Sequence, residues 1–246
     1  MGCPTSYVGQ SREPVRRSSS TASRGLSLIE TAGPCAACER ARVDVDLTVT
    51  AGNYRFDGVS FAVDTNIWLL GDEEEVLVVD AGFDASAILS AVDGREVLGI
   101  VCTHAHNDHA DAALALADAT GAPVLLHPGD EKLWARVNPG RRPDAELADG
   151  QVLTVAGSPV VVLHTPGHTA GSVCLHLPDD GLLFSGDTLL AGGPGLTGDA
   201  WSSRSALDDS VRRKLLVLPG ETVVHPGHGY DTELGTERRE SWAGRI

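Results

Sequence analysis

The amino-acid sequence predicts an α+β domain whose strands carry polar residues at their tips. Three observations lead there. Short apolar runs of strand length recur in two sets, one before and one after a polar stretch at residues 138–150. Segments with helical spacing and helix end signals fall between the runs. Several of the runs stop at a histidine or aspartate set in a turn.

A chain of 246 residues with 42% hydrophobic content can build a core, as one large domain or two small ones. No run approaches the roughly 20 apolar residues that a membrane-spanning helix needs, so no membrane partner is expected. The net charge is -15; Arg12, Arg16, Arg17 and Arg24 against Glu13 make residues 1–25 +3, which leaves -18 for the remainder. So acidic a body repels polyphosphate backbones, which argues against a nucleic-acid partner. Residues 1–25 contain Ser18-Ser19-Ser20-Thr21 and few apolar side chains, and are expected to form a disordered basic tail, with 26–246 as the folded domain. The Arg16-Arg17 pair is not followed by the apolar stretch of an export signal, so a cytoplasmic location is expected. Of the five cysteines, Cys102 and Cys174 lie in apolar runs as small buried thiols. The lone Cys35-Ala36-Ala37-Cys38 is read as having no function.

In chain order, strands are expected at 43–49, 59–63, 66–70 and 76–79, the last ending in Asp80-Ala81-Gly82. Asp84 offers a cap to a helix over 85–92. The apolar run 98–102 leads into Thr103-His104-Ala105-His106-Asn107-Asp108-His109, and a helix over 110–120 follows, closed by Gly121. A buried strand at 123–126 precedes the turn at His127, which receives no role. The loop 138–150 is expected at the surface, near the site, with Arg141 and Arg142 as solvated surface arginines able to hold an anion. The second set of strands falls at 152–155, 160–163, 172–177 and 182–185, with His164 and His176 expected to be satisfied by hydrogen bonds inside the fold. A glycine-rich connection at 190–201, a helix at 205–216, a strand at 222–225 and a closing helix within 233–246 complete the chain.

Four ligand-type residues within 104–109 are the centre of this pattern. On an extended chain His104 and His106 point the same way, while Asp108 and His109 begin a helix that aims them back. His168 on a Pro-Gly corner, Asp187 after Ser185-Gly186, and His228 after Pro226-Gly227 add three more strand-tip groups. Imidazoles and carboxylates without thiolates are the composition of a catalytic metal site more than a structural one. A site assembled from several strand tips is rigid and concave, as catalysis requires.

The ordered set His-x-His-x-Asp-His, Pro-Gly-His-Thr, Gly-Asp-Thr and Gly-His resembles the metallo-β-lactamase-fold superfamily, specifically its glyoxalase II-like (hydroxyacylglutathione hydrolase-like) branch, over residues 67–230. The resemblance implies a four-layer αββα sandwich with the site at one edge. It implies two divalent metal ions, zinc first with iron or manganese as alternatives. His104, His106 and His168 would hold one, Asp108, His109 and His228 the other, with Asp187 bridging and Asp80 steadying a ligating histidine. A shared hydroxide would then cleave a small thioester or related ester, with an acyl-thiol as the expected partner. The bridging carboxylate separates this branch from the antibiotic-hydrolysing enzymes. Tyr230 matches a substrate-contacting tyrosine, whereas Leu196 stands where a glutathione-holding basic residue is expected, and the 18 residues after His228 leave no room for the glutathione-binding helical domain. Glutathione itself is therefore not the expected thiol. The same motifs leave two alternatives open: a persulfide dioxygenase-like oxidoreductase with one iron on His104, His168 and Asp187, and a lactonase.

Overall fold

The computed structural model describes residues 43–56, 58–198 and 200–242. The expected basic tail, Cys35, Cys38, a domain boundary at 26 and residues 243–246 lie outside them. The first six-stranded sheet runs in order β1 (Asp44–Phe56), β2 (Val59–Gly71), β3 (Glu75–Val79), β4 (Glu96–Val101), β5 (Val124–Leu126) and β6 (Ala145–Glu146). Its helices are α1 (Ala85–Val92), α2 (Asn107–Ala110), α3 (Ala113–Thr120) and α4 (Glu131–Val137). The second half supplies β7 (Val152–Val155), β8 (Ser158–His164), β9 (Val173–Leu177), β10 (Leu182–Gly186), β11 (Leu189–Leu190), β12 (Gly193–Pro194), α5 (Arg204–Ser210), β13 (Val223–Pro226), β14 (Thr232–Glu233) and α6 (Leu234–Glu240). The second six-stranded sheet has the order β14-β13-β10-β9-β8-β7, and β11 with β12 form a separate two-stranded ribbon.

Why these strands read as unbroken apolar runs follows from how they are covered. A strand buried on both faces has no polar side to alternate with. Along β2 and β3, Ile67, Leu69, Val76 and Val78 join one core cluster with Ile88 of α1, Leu116 of α3 and Leu133 of α4. The residues between them, Trp68, Leu70, Leu77 and Val79, face the second sheet and pack with Val160, Val162, Leu175 and Phe184. Cys174 and Leu183 point outward from the second sheet onto Leu207, Leu215, Leu234 and Trp242. Helix, sheet, sheet and helix are thus stacked with apolar contact at each boundary, the αββα sandwich.

Three local departures have physical causes. The 43–49, 59–63 and 66–70 runs belong to a single long hairpin, in register from Asp44 opposite Gly71 to Phe56 opposite Val59. Gly52 and Asn53 have low strand propensity, and cross-strand pairing overrides that weak local preference. The helix expected at 110–120 is split, because the Asp80-Ala81-Gly82 turn claims backbone groups at the break: Ala81 N donates to His109 O and Ala112 N to Ala81 O. Helix α4 and β6 were not expected; α4 is a two-turn helix behind a Pro-Gly turn, and β6 lies inside the polar loop as a two-residue parallel partner of β5. That loop packs back on α4, with Trp134 Nε1 donating to Arg141 O. Arg141 pairs with Asp118 and Asp144, and Arg142 with Glu131, so carboxylates of the chain engage both arginines.

Helix α1 has the expected bounds, with Asp84 Oδ1 accepting from Ser86 N and Ala87 N. His164 Nε2 donates to Ala170 O, and its ring stacks on His127 with centroids 3.8 Å apart. Burial, then the neighbouring His164, pushes the His127 pKa down from 6.5 to about 4. A depressed histidine pKa means the unfolded chain takes the proton first, so stability present above 6.5 is lost as pH falls towards 4. His127→Phe is expected to flatten the decline of Tm over that window, measured by thermal melts at stepped pH; an unchanged slope would contradict it.

Candidate metal centre

Each of the seven ligand-type residues lies just beyond a strand end, on the same edge of the two sheets. Strand β4 stops at Val101, so strand alternation is not what aligns His104 with His106. Two buried carboxylates shape the loop instead. Asp80 Oδ1 accepts from Thr103 N at 2.7 Å, and Asp130 Oδ2 accepts from Ala105 N at 3.0 Å. Asp108 and His109 sit in α2, as the sequence suggests. His168 follows β8, Asp187 follows β10 and His228 follows β13. The parallel pairing of β10 with β13 sets the last two side by side, with Gly227 N donating to Gly186 O. Gly227 is required here, since a Cβ would lie 2.6 Å from both Asp187 Oδ1 and His109 Cε1.

The side chains converge in two groups. His168 Nε2 lies 3.0 Å from His106 Nδ1 and 3.2 Å from His104 Nε2. In the other group His109 Nε2 is 3.2 Å from His228 Nε2, and Asp108 Oδ2 is 3.3 Å from His228 Nε2. Asp187 stands between: its Oδ2 is 3.6 Å from His168 Nε2 and 3.4 Å from His228 Nε2, and its Oδ1 is 3.6 Å from His109 Nε2. Within each trio, one ligand atom per residue lies within 4.8 Å of the other two.

Outward hydrogen bonds fix which nitrogen faces in. His168 Nδ1 donates to Leu196 O, His228 Nδ1 to Asp64 O and His109 Nδ1 to Asp80 Oδ2. Thr103 Oγ1 donates to Asp80 Oδ2, which leaves its lone pair to accept from His104 Nδ1. In the neutral ring the opposite nitrogen is then a bare acceptor. With all four rings neutral, as ligation of a cation requires, four acceptor lone pairs are aimed at one small volume, and hydrogen bonds among them cannot satisfy them all.

Charge is distributed unevenly. Burial, then the neighbouring imidazoles, drives the His104 pKa well below its usual range, and burial also lowers that of His168. Burial opposes charge on His109 too, but Asp80, Asp108 and Asp187 outweigh it and raise its pKa to about 9. Burial is likewise outweighed at His228, where Asp187 and Asp108 raise the pKa to about 11. For Asp187 burial disfavours the anion, yet His228 and His109 hold its carboxyl well below the usual range. Asp108 Oδ1 and Asp187 Oδ1 are buried without a hydrogen-bond partner. Inward lone pairs, orphaned carboxylate oxygens and an N/O donor set together fit divalent cations.

Of the remaining expected residues, Asp80 touches His109 as described, and Tyr230 stands 88% exposed. Leu196 is 82% exposed and contributes its backbone carbonyl to His168. Four contributors escaped sequence reasoning. Asp130, in a Pro-Gly turn with no motif, accepts from Ala105 N, Thr169 Oγ1 and Gly171 N, and so ties the His104/His106 loop to the His168 turn. Asn107 Oδ1 accepts from Arg55 N and its Nδ2 donates to Asn53 O, latching β1 onto the ligand helix. Tyr54 and Phe56 set their rings edge-on to His106, with centroids 5.5 and 5.4 Å away.

The chain belongs to the metallo-β-lactamase superfamily, whose sequence profile matches residues 61–228. It is 32% identical to the probable metallo-hydrolase YqgX of Bacillus subtilis over 194 residues, 73% of this chain and 92% of that one. It is 39% identical to hydroxyacylglutathione hydrolase of Rhizobium johnstonii over 158 residues, 62% of this chain but 56% of that enzyme. Among solved structures it is similar to TTHA1623 in a di-iron-bound form (TM-score 0.62, 36% identity, covering 72% of this chain and 94% of that one). It is also similar to the B3 metallo-beta-lactamase BLEG-1 (TM-score 0.67, 29% identity, covering 78% and 98%).

Asp130→Ala leaves the buried N–H groups of Ala105 and Gly171 unmatched and takes one partner from Thr169 Oγ1, and is expected to destabilise the fold by about 2–4 kcal/mol, read by chemical denaturation. Loss of less than about 0.5 kcal/mol, the level of an ordinary surface substitution, would contradict the tie.

Proposed function

We propose that this protein is a binuclear metal-dependent hydrolase of a small thioester or related ester. The position of Asp187 carries the proposal: one carboxylate reaches His168 of the first group and His109 and His228 of the second. His104, His106 and His168 would hold one divalent cation and Asp108, His109 and His228 the other, with Asp187 shared. Bound there, such ions supply Lewis acidity towards a carbonyl and lower the pKa of water, so no serine or cysteine nucleophile is needed. The similarity to a hydroxyacylglutathione hydrolase and to a di-iron structure supports this reading.

The chain's own groups do the positioning. The Leu196 and Asp64 carbonyls and the Asp80 carboxylate hold the imidazoles in one tautomer and one orientation, which removes the reorganisation a looser site would need. Tyr54 and Phe56 exclude water from the His106 side. Tyr230 and Leu196, exposed on the loops that carry His228 and His168's carbonyl partner, flank the approach for an acyl group. A thiol leaving group, with a pKa of about 8.5, departs without a strong acid, and no residue has to be reserved for protonating it.

His104, His168 and Asp187 are also a two-histidine, one-carboxylate set of the kind used by non-haem iron oxygenases, which supports a mononuclear iron dioxygenase as the second reading.

One experiment separates them: metal content per chain, turnover of a thioester panel with a lactone and a β-lactam included, and oxygen uptake, all on the same preparation. Two divalent ions with thioester cleavage and no oxygen uptake are expected. In Asp187→Ala, binuclear loading should be lost and turnover should fall more than about a hundredfold, beyond the loss of an outer partner. One iron with oxygen uptake would establish the second reading, and full loading with unchanged turnover in the variant would overturn the first.

A further inference from the structure

His228 is the member of the trio Asp108, His109 and His228 that follows a strand of the second sheet, yet the turn that presents it is held from the first. The holding segment lies in β2. Asp64 O accepts from His228 Nδ1 at 2.7 Å, and Asn66 N donates to Gly227 O at 2.8 Å. The Asn66 side chain adds two more bonds, its Nδ2 donating to Pro226 O and to Gly229 O, both at 3.0 Å. Trp68 Nε1 donates to the same Pro226 O. The Asn66 amide thus grips the turn on both sides of His228.

Both partners of that amide are carbonyl oxygens, so its nitrogen, with two N–H donors, is the end of the side chain that can serve them. Asn66 is buried, and its bonds reach across 160 and 163 residues of chain. Strand β2 does not need them, since its backbone is already paired to β1 and β3. Their effect falls on the turn.

The other trio has its own fastening. His104 and His106 follow β4, His168 follows β8, and Asp130 joins the two segments through Ala105 N, Thr169 Oγ1 and Gly171 N. The side-chain bonds of Asn66 end on Pro226 and Gly229 instead. Each trio therefore joins two ligands from the first half of the chain to one from the second, and a different buried side chain secures each junction.

We propose that Asn66 is a positioning residue for His228: it holds the turn that carries this ring, and so sets the affinity of the Asp108, His109 and His228 group separately from that of the other group. The inference rests on the two-ion reading and deepens it. It makes the step from one bound ion to two depend on an amide outside the ligand set.

Zinc titrated calorimetrically into the metal-free protein gives the two affinities, and nitrogen-15 NMR of the histidine rings shows which ion engages His168 and which His228. In Asn66→Leu, similar in size but without a donor, and in Asn66→Ala, affinity at His228 is expected to fall about tenfold or more, the range for loss of an outer hydrogen-bonding partner. Affinity at His168 should stay unchanged, and Asp130→Ala should show the reverse pattern. A general loss of stability would weaken both groups alike. Unchanged affinity at His228, or equal loss at both groups, in the two Asn66 variants would overturn the proposal. A second readout needs no metal: the His228 Nδ1–H, bonded to Asp64 O, should exchange with solvent faster in Asn66→Leu, while the His168 Nδ1–H, bonded to Leu196 O, keeps its rate. A wild-type protein that binds one ion only, at His168, would sink the two-ion reading. The exchange rates then decide for Asn66, and unchanged protection at His228 would overturn its role.

Discussion

The structure depends on a confrontation of like groups: imidazole lone pairs held about 3 Å apart, with carboxylate oxygens buried beside them. Left to themselves these groups would separate or hydrate. What keeps them together is that the outward nitrogens of His104, His109, His168 and His228 each have an oxygen to donate to, supplied by Thr103, Asp80, Leu196 and Asp64. Asp80 shows the cost of the arrangement. It is a non-glycine residue in the left-handed region at φ 63°, a conformation costing on the order of 1–2 kcal/mol. Its carboxylate accepts from Thr103 N, Thr103 Oγ1 and His109 Nδ1, which offsets that strain and keeps the turn in place.

The sandwich explains why such a cluster can be held. The central strands of both sheets are buried on two faces, so neither sheet can slide without exposing a core cluster, and their ends therefore form a fixed rim. The first sheet places Asp80 and the His104–His109 loop on that rim, and the second places His168, Asp187 and His228. Gly186 and Gly227 let the two rims approach: at Gly186 a Cβ would sit 2.4 Å from Thr103 Oγ1. The centre is thus a seam between sheets, and Asp130 stitches across it from Ala105 to Gly171.

Residues that combine a ligand-type side chain with an apolar run and a turn were legible in the sequence: His104, His106, His168, Asp187 and His228 all have this form, and the structure brings them together. The helix over 85–92 was legible because Asp84 is a local cap. Asp130 was not, since an aspartate after Pro-Gly looks like a turn former and its partners lie 25 to 41 residues away. Tyr54 and Phe56 were hidden for a related reason: Gly52 and Asn53 are poor strand formers locally, and only pairing with β2 carries the hairpin up to His106. Long-range pairing and long-range hydrogen bonds leave no local pattern, whereas caps, periodicity and motif spacing do.

Anomalous scattering from crystals of the metal-loaded protein, recorded at the absorption edge of the metal found in it, tests the central claim most directly. Two peaks are predicted, one bounded by His104, His106 and His168, the other by Asp108, His109 and His228, with Asp187 between them. A single peak, or peaks away from these side chains, would contradict the account.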